Sequence, residues 1–220
     1  MMAGRCRIAV LCVCTTLLAA CATGPRSVPG DREVAWSEQR ERLEALSGWR
    51  AKGRLAVRTP DDAGNANFVW VEAGDEHFRL RLEGPLGQGG GRLVVDGEQA
   101  VLTTGNGQRF AGADAGRLLD ELYGWDIPVT GLRHWLLGLP GADADYELDR
   151  FGRITNLDWR GWRIEYRRYR QVGDLDLPAT LVASNADSAT EIRVAIDQWE
   201  PQSNEQAPSE EGSTVPLMGG

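Results

Sequence analysis

Between Trp49 and Trp199 the chain is written mostly in period two, and that pattern narrows the folds open to it. Trp49, Ala51, Gly53, Leu55 and Val57 alternate with Arg50, Lys52, Arg54 and Arg58, which reads as a half-buried strand. Phe68 and Trp70 share one face of the next strand, with Val69 and Val71 on the other. Phe78, Leu80 and Leu82 then alternate with Arg79, Arg81 and Glu83. Residues 92–96 and 99–104 read as a hairpin across Asp96-Gly97, and Asn106-Gly107 turns into residues 108–111. Further strands fall at 146–150, 153–159, 162–167, 177–184 and 191–197, with Pro178 suggesting an edge or a strand start. Short strands joined by tight turns mean an antiparallel sheet. Repeated βαβ crossovers and internal repeats are absent.

Helical periodicity interrupts this twice. Residues 31–47 put Trp36, Leu43 and Leu46 near one face, and Gly48 can stop them. In the middle, Asp114 can cap a helix containing Leu118, Leu119 and Leu122, stopped at Gly124. Pro128 breaks the chain. Thr130 can then cap a second helix, with Leu132, Trp135, Leu136 and Leu139 at i, i+3, i+4 and i+7 and with Gly138 and Pro140 at its end. The layout is helix, about six strands, two helices, about five strands. So large a sheet tends to curl, and the central helices can cap its concave side. Eight tryptophans stand out: Trp36, Trp49, Trp70, Trp125, Trp135, Trp159, Trp162 and Trp199. Any one of them is explained by a well-filled core. As a set on a curled sheet, they fit a lining for acyl chains held by apolar burial.

The N-terminus carries a different message. Arg5 and Arg7 precede an apolar run at 8–18 that is too short to span a bilayer. Leu18-Ala19-Ala20-Cys21 follows; an ordinary secretory site makes no demand for a cysteine, and the stretch resembles the bacterial lipobox, which is cut before a cysteine that carries lipid. The chain divides into a lipoprotein signal peptide (1–20), a flexible tether (21–30), a folded domain (31–200) and an acidic, disordered tail (201–220). The whole chain has 24 basic and 32 acidic residues; without Arg5 and Arg7 the balance is 22 against 32, or −10. That excludes nucleic-acid binding through clustered cations and broad adhesion to anionic lipid. Membrane contact then belongs to the lipid on Cys21 or to an apolar feature. Cys6, Cys12 and Cys14 leave with the signal, so the mature domain has neither a disulfide nor a cysteine metal site. His77 and His134 match no metal spacing.

No catalytic constellation emerges. There is no G-x-S-x-G elbow, and serine is scarce between Gly48 and Asp174. Asp61/Asp62 and Asp143/Asp145 sit in turn contexts, and His134 faces away from the Leu132/Leu136 stripe. The chain reads as a protein without cofactor that is not an enzyme. Gly84-Pro85-Leu86-Gly87-Gln88-Gly89-Gly90-Gly91 is a turn whatever its use. Leu86 is its one large apolar side chain, and composition leaves open whether it protrudes or folds back.

Taken together these residues resemble the LolB family, the outer-membrane lipoprotein receptors of Gram-negative bacteria. The resemblance runs from about residue 36 to 199. It rests on the lipobox, Gly53-Arg54-Leu55-Ala56, Phe68-Val69-Trp70, Gly84-Pro85-Leu86-Gly87, Ile127-Pro128 and the strand from Trp162 to Tyr166. It also rests on Leu177-Pro178, the closing Ile196…Trp199 and, above all, Leu132-Arg133-His134-Trp135-Leu136-Leu137-Gly138-Leu139-Pro140-Gly141. It implies a mainly β fold with some α: an incomplete, half-open antiparallel barrel of about eleven strands with helices lidding an apolar cavity. It implies lipid attachment at Cys21, an outer-membrane location facing the periplasm, and a monomer. The partners it implies are the periplasmic carrier LolA, lipoprotein cargo with its acyl chains, and the inner leaflet of the outer membrane. Leu86, with Gly84, Pro85 and Gly87, corresponds to the family's membrane-delivery loop. The expected cavity lining is Phe68, Trp70, Phe78, Leu80, Leu82, Trp135, Leu136, Trp162, Ile164 and Ile196. The Gly89-Gly90-Gly91 extension and the tail depart from the family pattern. A structural lipoprotein that scaffolds an envelope assembly is the rival reading; an enzyme acting on envelope lipids would need a nucleophile or metal site not found here.

Overall fold

A computed structural model describes residues 30–74, 76–84, 90–124 and 127–203, without the side chains of Tyr123 and Ser203. Helix α1 (Asp31–Glu44) leads into strands β1 (Leu46–Arg58), β2 (Ala63–Glu72), β3 (His77–Glu83), β4 (Gly91–Asp96), β5 (Gln99–Thr104) and β6 (Arg109–Gly112). Helices α2 (Ala115–Tyr123) and α3 (Val129–Leu137) follow. Then come β7 (Asp145–Leu148), β8 (Ile154–Trp159), β9 (Trp162–Val172), β10 (Leu175–Asn185) and β11 (Thr190–Ser203). The strands form one eleven-stranded sheet in the order β6-β5-β4-β3-β2-β1-β11-β10-β9-β8-β7, so the expected half-open antiparallel sheet is present.

The topology is two meanders joined back to back. The first and last strands meet in the middle through a long ladder from Leu46↔Ser203 to Arg58↔Glu191. The free edges are β6 and β7, each only four residues long. Short edges limit the unpaired backbone that another chain could extend. The chain leaves one edge and returns to the other through α2 and α3, which therefore roof the open side. Antiparallel pairing also sorts the turns onto two rims. The start of β1, the β7–β8 turn and the β9–β10 turn share one rim with α1. The β3–β4 connection leaves from the opposite rim.

Caps explain where the middle helices begin and end. Asp114 accepts from the Arg117 amide at 2.9 Å, and Gly124 ends α2 in the left-handed conformation. Gly138 ends α3 in the same way. The start of α3 differs from expectation: Pro128 stands at its N-cap, and its carbonyl accepts from the Leu132 amide at 2.8 Å. Helix α1 also stops earlier than its periodicity suggested. It buries Trp36, Gln39 and Leu43, whereas Leu46 and Gly48 already belong to β1. The last strand carries on past Trp199 to Ser203.

Pro178 marks neither a sheet edge nor a strand start. It lies inside β10, an interior strand, where β10 and β11 part company. Their ladder covers only Thr180↔Ala195 to Asn185↔Thr190. Beyond it the β11-facing backbone of β10 would be unpaired. Pro178 has no N–H to satisfy there, and its carbonyl accepts from the Trp199 indole at 2.9 Å. Two residues earlier, Gln39 of α1 takes the place of a strand. Its Nε2 donates to the Asp176 carbonyl at 2.9 Å, and its Oε1 accepts from the Asp176 amide at 3.4 Å.

Gly53 serves the central seam. The β1–β11 register shifts between Lys52 and Gly53, with Asp197 as the extra residue of a bulge. A Cβ at Gly53 would sit 2.1 Å from the Ala195 carbonyl oxygen, a backbone atom that cannot step aside. Gly53→Ala is expected to destabilise the domain by about 3 kcal/mol. Urea unfolding followed by tryptophan fluorescence measures it.

Candidate functional site

The concave face of the sheet gathers its large side chains into one apolar interior under the two-helix roof. Phe68 and Trp70 on β2 stand directly across from Leu82 and Leu80 on β3. On the other side of β2 their partners are Gly53 and Ala51, both small. Phe78 extends the β3 row, Ile196 comes from β11, and Trp162 and Ile164 come from β9. Trp135 and Leu136 descend from α3. All of these sequence-expected lining residues are buried and belong to a single core cluster, with Trp70 and Trp135 each 1 % exposed.

Aromatic contacts give the interior a direction. Rings run Trp199–Trp49 at 5.4 Å, Trp49–Trp70 at 5.8 Å and Trp70–Phe78 at 4.9 Å, crossing from β11 through β1 and β2 to β3. A second group meets the roof, where Trp135 packs on Trp162 at 5.4 Å and edge-on to Trp159 at 6.3 Å. Offset and edge-on geometries are the favoured ones for such pairs. Trp49 and Trp199 were not among the expected lining residues, yet they complete the first row. Tyr166 was also missed, although it follows Trp162 and Ile164 on the same face. Its hydroxyl donates to the Trp135 carbonyl at 3.1 Å. Burial pushes the Tyr166 hydroxyl far above its ordinary pKa, so it remains a donor.

One ion pair is built into this apolar region. Glu72 ends the β2 row Phe68, Trp70, Glu72, so period two aims its carboxylate inward, and its side chain is only 3 % exposed. Its Oε2 accepts from the Trp70 indole at 3.1 Å, and its Oε1 lies 2.8 Å from Nε of Arg133 on α3. Arg133 also donates to the Gly74 carbonyl at 3.5 Å. Helix α3 is thus tied to the sheet at two places: through Arg133 to β2 and through the Trp135 carbonyl to β9. A cleft of about 780 Å³ opens beside this roof. Its walls include Phe78 and Val95 from the sheet, Ile127 and Val129 at the start of α3, and Trp159. Phe78 belongs to both the cleft and the interior, so the cleft borders the end of the aromatic row.

Of the delivery-loop residues, Gly84 is described, at the end of β3. Pro85, Leu86 and Gly87 lie outside the described residues, as do Cys21 and Trp125. The loop's far flank is tightly built: Gly90 has φ +109°, and its carbonyl accepts from the Gly105 amide at 2.8 Å. Among the described residues, no group of three or more His, Cys, Asp and Glu is placed to hold a metal ion.

Comparison with known proteins points one way. A family model described as outer membrane lipoprotein LolB matches residues 47–199. An outer-membrane lipoprotein LolB of Alkalilimnicola ehrlichii is 37 % identical over 198 residues, covering 89 % of this chain and 97 % of the relative. One from Pseudomonas fluorescens is 34 % identical over 191 residues, covering 84 % and 92 %. Among solved structures, a LolA superfamily protein from Nitrosomonas europaea shares the fold. Its TM-score is 0.50 at 12 % identity, and 77 % of this chain and 92 % of that one are covered.

Removing Arg133 alone strands a buried carboxylate. Arg133→Met is expected to cost about 3–5 kcal/mol, whereas the double variant Glu72→Met/Arg133→Met recovers most of that loss. A double-mutant cycle by equilibrium denaturation reads the difference.

Proposed function

The chain belongs to the LolB family, and from that premise we propose that it receives lipoproteins from the periplasmic carrier LolA and inserts them into the outer membrane. It is an outer-membrane lipoprotein of the Lol sorting system and not an enzyme. Residues 1–20 serve as the signal peptide, Cys21 carries the lipid, residues 22–30 form the tether and residues 31–200 the working domain. The protein acts as a monomer. The observation that carries this reading is the continuous aromatic interior beneath α2 and α3, with a cleft bordering it at Phe78.

Transfer has to satisfy a simple physical demand. Each acyl methylene exposed to water costs roughly 0.8 kcal/mol. Cargo chains therefore pass from one apolar interior to another by direct contact of the two mouths. The interior here is filled by its own side chains, with Trp70 and Trp135 each 1 % exposed, so entry requires the roof to lift. Helices α2 and α3 have nine residues each. Helices this short are marginal by themselves, so tertiary contacts set the cost of moving them. The lining that acyl chains would meet is Phe68, Trp70, Phe78, Leu80, Leu82, Trp135, Leu136, Trp162, Ile164 and Ile196. Direction requires the receptor to hold cargo more tightly than the carrier does, and the bilayer more tightly again. Leu86, carried with Gly84, Pro85 and Gly87 on the β3–β4 connection, is the membrane-delivery element. A scaffolding lipoprotein would also bury its tryptophans, so burial alone is common to both readings. Uptake of an acyl probe by the domain separates the two.

Transfer from loaded carrier to this protein is the direct test. Leu86→Glu is expected to leave acceptance near normal while insertion into liposomes falls by about tenfold or more, since a charge replaces the inserting side chain. Unchanged insertion would remove the loop from the mechanism. Cys21→Ala without lipid is expected to accept cargo in solution at the normal level. Lost acceptance would show that the anchor does more than localise.

A further inference from the structure

The strongly exposed large apolar side chains among the described residues are Val34 at 58 %, Phe151 at 55 % and Tyr146 at 41 %. All of them sit at one corner. Val34 is in the first turns of α1, Tyr146 is on β7, and Phe151 is in the β7–β8 turn. The parts are locked together. Trp36 of α1 donates its indole N–H to the Tyr146 hydroxyl at 3.1 Å. A Cβ on Gly152 would lie 2.6 Å from the Arg32 carbonyl oxygen and 2.7 Å from the Trp36 amide nitrogen, so the turn rests on the α1 backbone.

The turn holds Phe151 outward by construction. Asp149 accepts from the amides of Phe151 at 2.8 Å and Arg153 at 3.0 Å, and from Arg153 Nε at 2.9 Å and Nη2 at 2.7 Å. The exposed ring carries two guanidiniums, Arg150 at 4.6 Å and Arg153 at 4.9 Å from its centroid. Of the nearby carboxylates, Asp149 pairs with Arg153 and Glu33 with Arg32, while Glu147 accepts from the Asn156 side-chain amide at 2.7 Å. No acidic group among the described residues forms an ion pair with Arg150.

We propose that this corner is a phospholipid-docking surface, with Phe151 in the headgroup layer and the guanidinium of Arg150 on lipid phosphate. An aromatic ring flanked by arginines suits that boundary, where the ring meets apolar depth and the cation meets phosphate oxygens. The occupant follows from where the chain leads. Residues 22–30 span at most about 30 Å, and they enter α1 at this same corner. A lipid on Cys21 therefore keeps the corner within reach of the bilayer. This proposal rests on the lipid-anchor reading and adds a resting orientation to it. This is the orientation at rest; inserting Leu86, which the β3–β4 connection carries on the opposite rim, requires the domain to turn on its tether.

The test uses the mature lipidated protein in vesicles of phosphatidylethanolamine and phosphatidylglycerol. Lipidation consumes Cys21, so Phe151→Cys supplies a single thiol for a nitrobenzoxadiazole label, and Asn106→Cys, in the turn between β5 and β6 on the opposite rim, is the control. The expected result is blue-shifted emission at position 151, quenched by spin-labelled lipid, with buffer-like emission at 106. Adding Arg150→Gln should reduce the quenching. Buffer-like emission at 151 from protein that sediments with the vesicles overturns the docking surface and leaves the anchor standing. Protein that stays in the supernatant overturns the anchor reading, and the docking surface with it. Shielding at 151 that needs added carrier overturns the proposal in favour of a protein interface.

Discussion

A sheet that does not close is the constraint to which the rest of this molecule answers. Eleven antiparallel strands curl around an apolar face and leave two four-residue edges unjoined. A closed barrel would shield that face by itself. Here the task falls to α2, α3 and a large complement of aromatic rings. Ala51 is small where Trp70 stands across from it, and Gly53 is small because a Cβ there would strike the β11 backbone. Trp135 reaches down from the roof because the floor beneath it is made of Trp162 and its neighbours.

Polar groups do the fastening in the places where apolar packing is indifferent to position. Gln39 completes an interrupted ladder at Asp176, and the Trp199 indole does the same at Pro178. Glu72 and Arg133 give α3 one address on β2. Replacing such a buried pair by apolar residues is often neutral or favourable to stability, so its value here lies in fixing where the roof sits. The Tyr166 hydroxyl adds a second fixed point at the Trp135 carbonyl.

Local features were legible in the sequence, and long-range ones were not. Residues 99–104 became β5 as expected, and Asp114, Gly124 and Gly138 cap their helices as their side chains and backbone freedom dictate. Alternation also placed Phe68, Trp70, Leu80 and Ile164 on the buried face, because period two depends only on neighbours. Leu46 was assigned to α1 because helix and strand follow with almost no gap, and its apolar side chain suits either. Pro178 was misread because the parting of β10 and β11 depends on residues far away in the chain. Glu72 was visible in principle: it falls on the same parity as Trp70, and a carboxylate on a buried face signals a cation elsewhere. Which cation answers it depends on how α3 crosses the sheet.

The seam between β1 and β11 has a consequence for how the protein comes into being. Arg54 and Asp197, whose side chains meet there at 3.5 Å, are 143 residues apart in the chain. Contacts so distant carry a large loop-closure cost and slow folding. A chain crossing a membrane N-terminus first can build the β1–β6 meander early, but its central strand keeps a raw edge until β11 emerges. The sheet is completed at the end of translocation, and in that interval the chain exposes apolar strands to any neighbour. Strand order therefore sets how long that edge stays open.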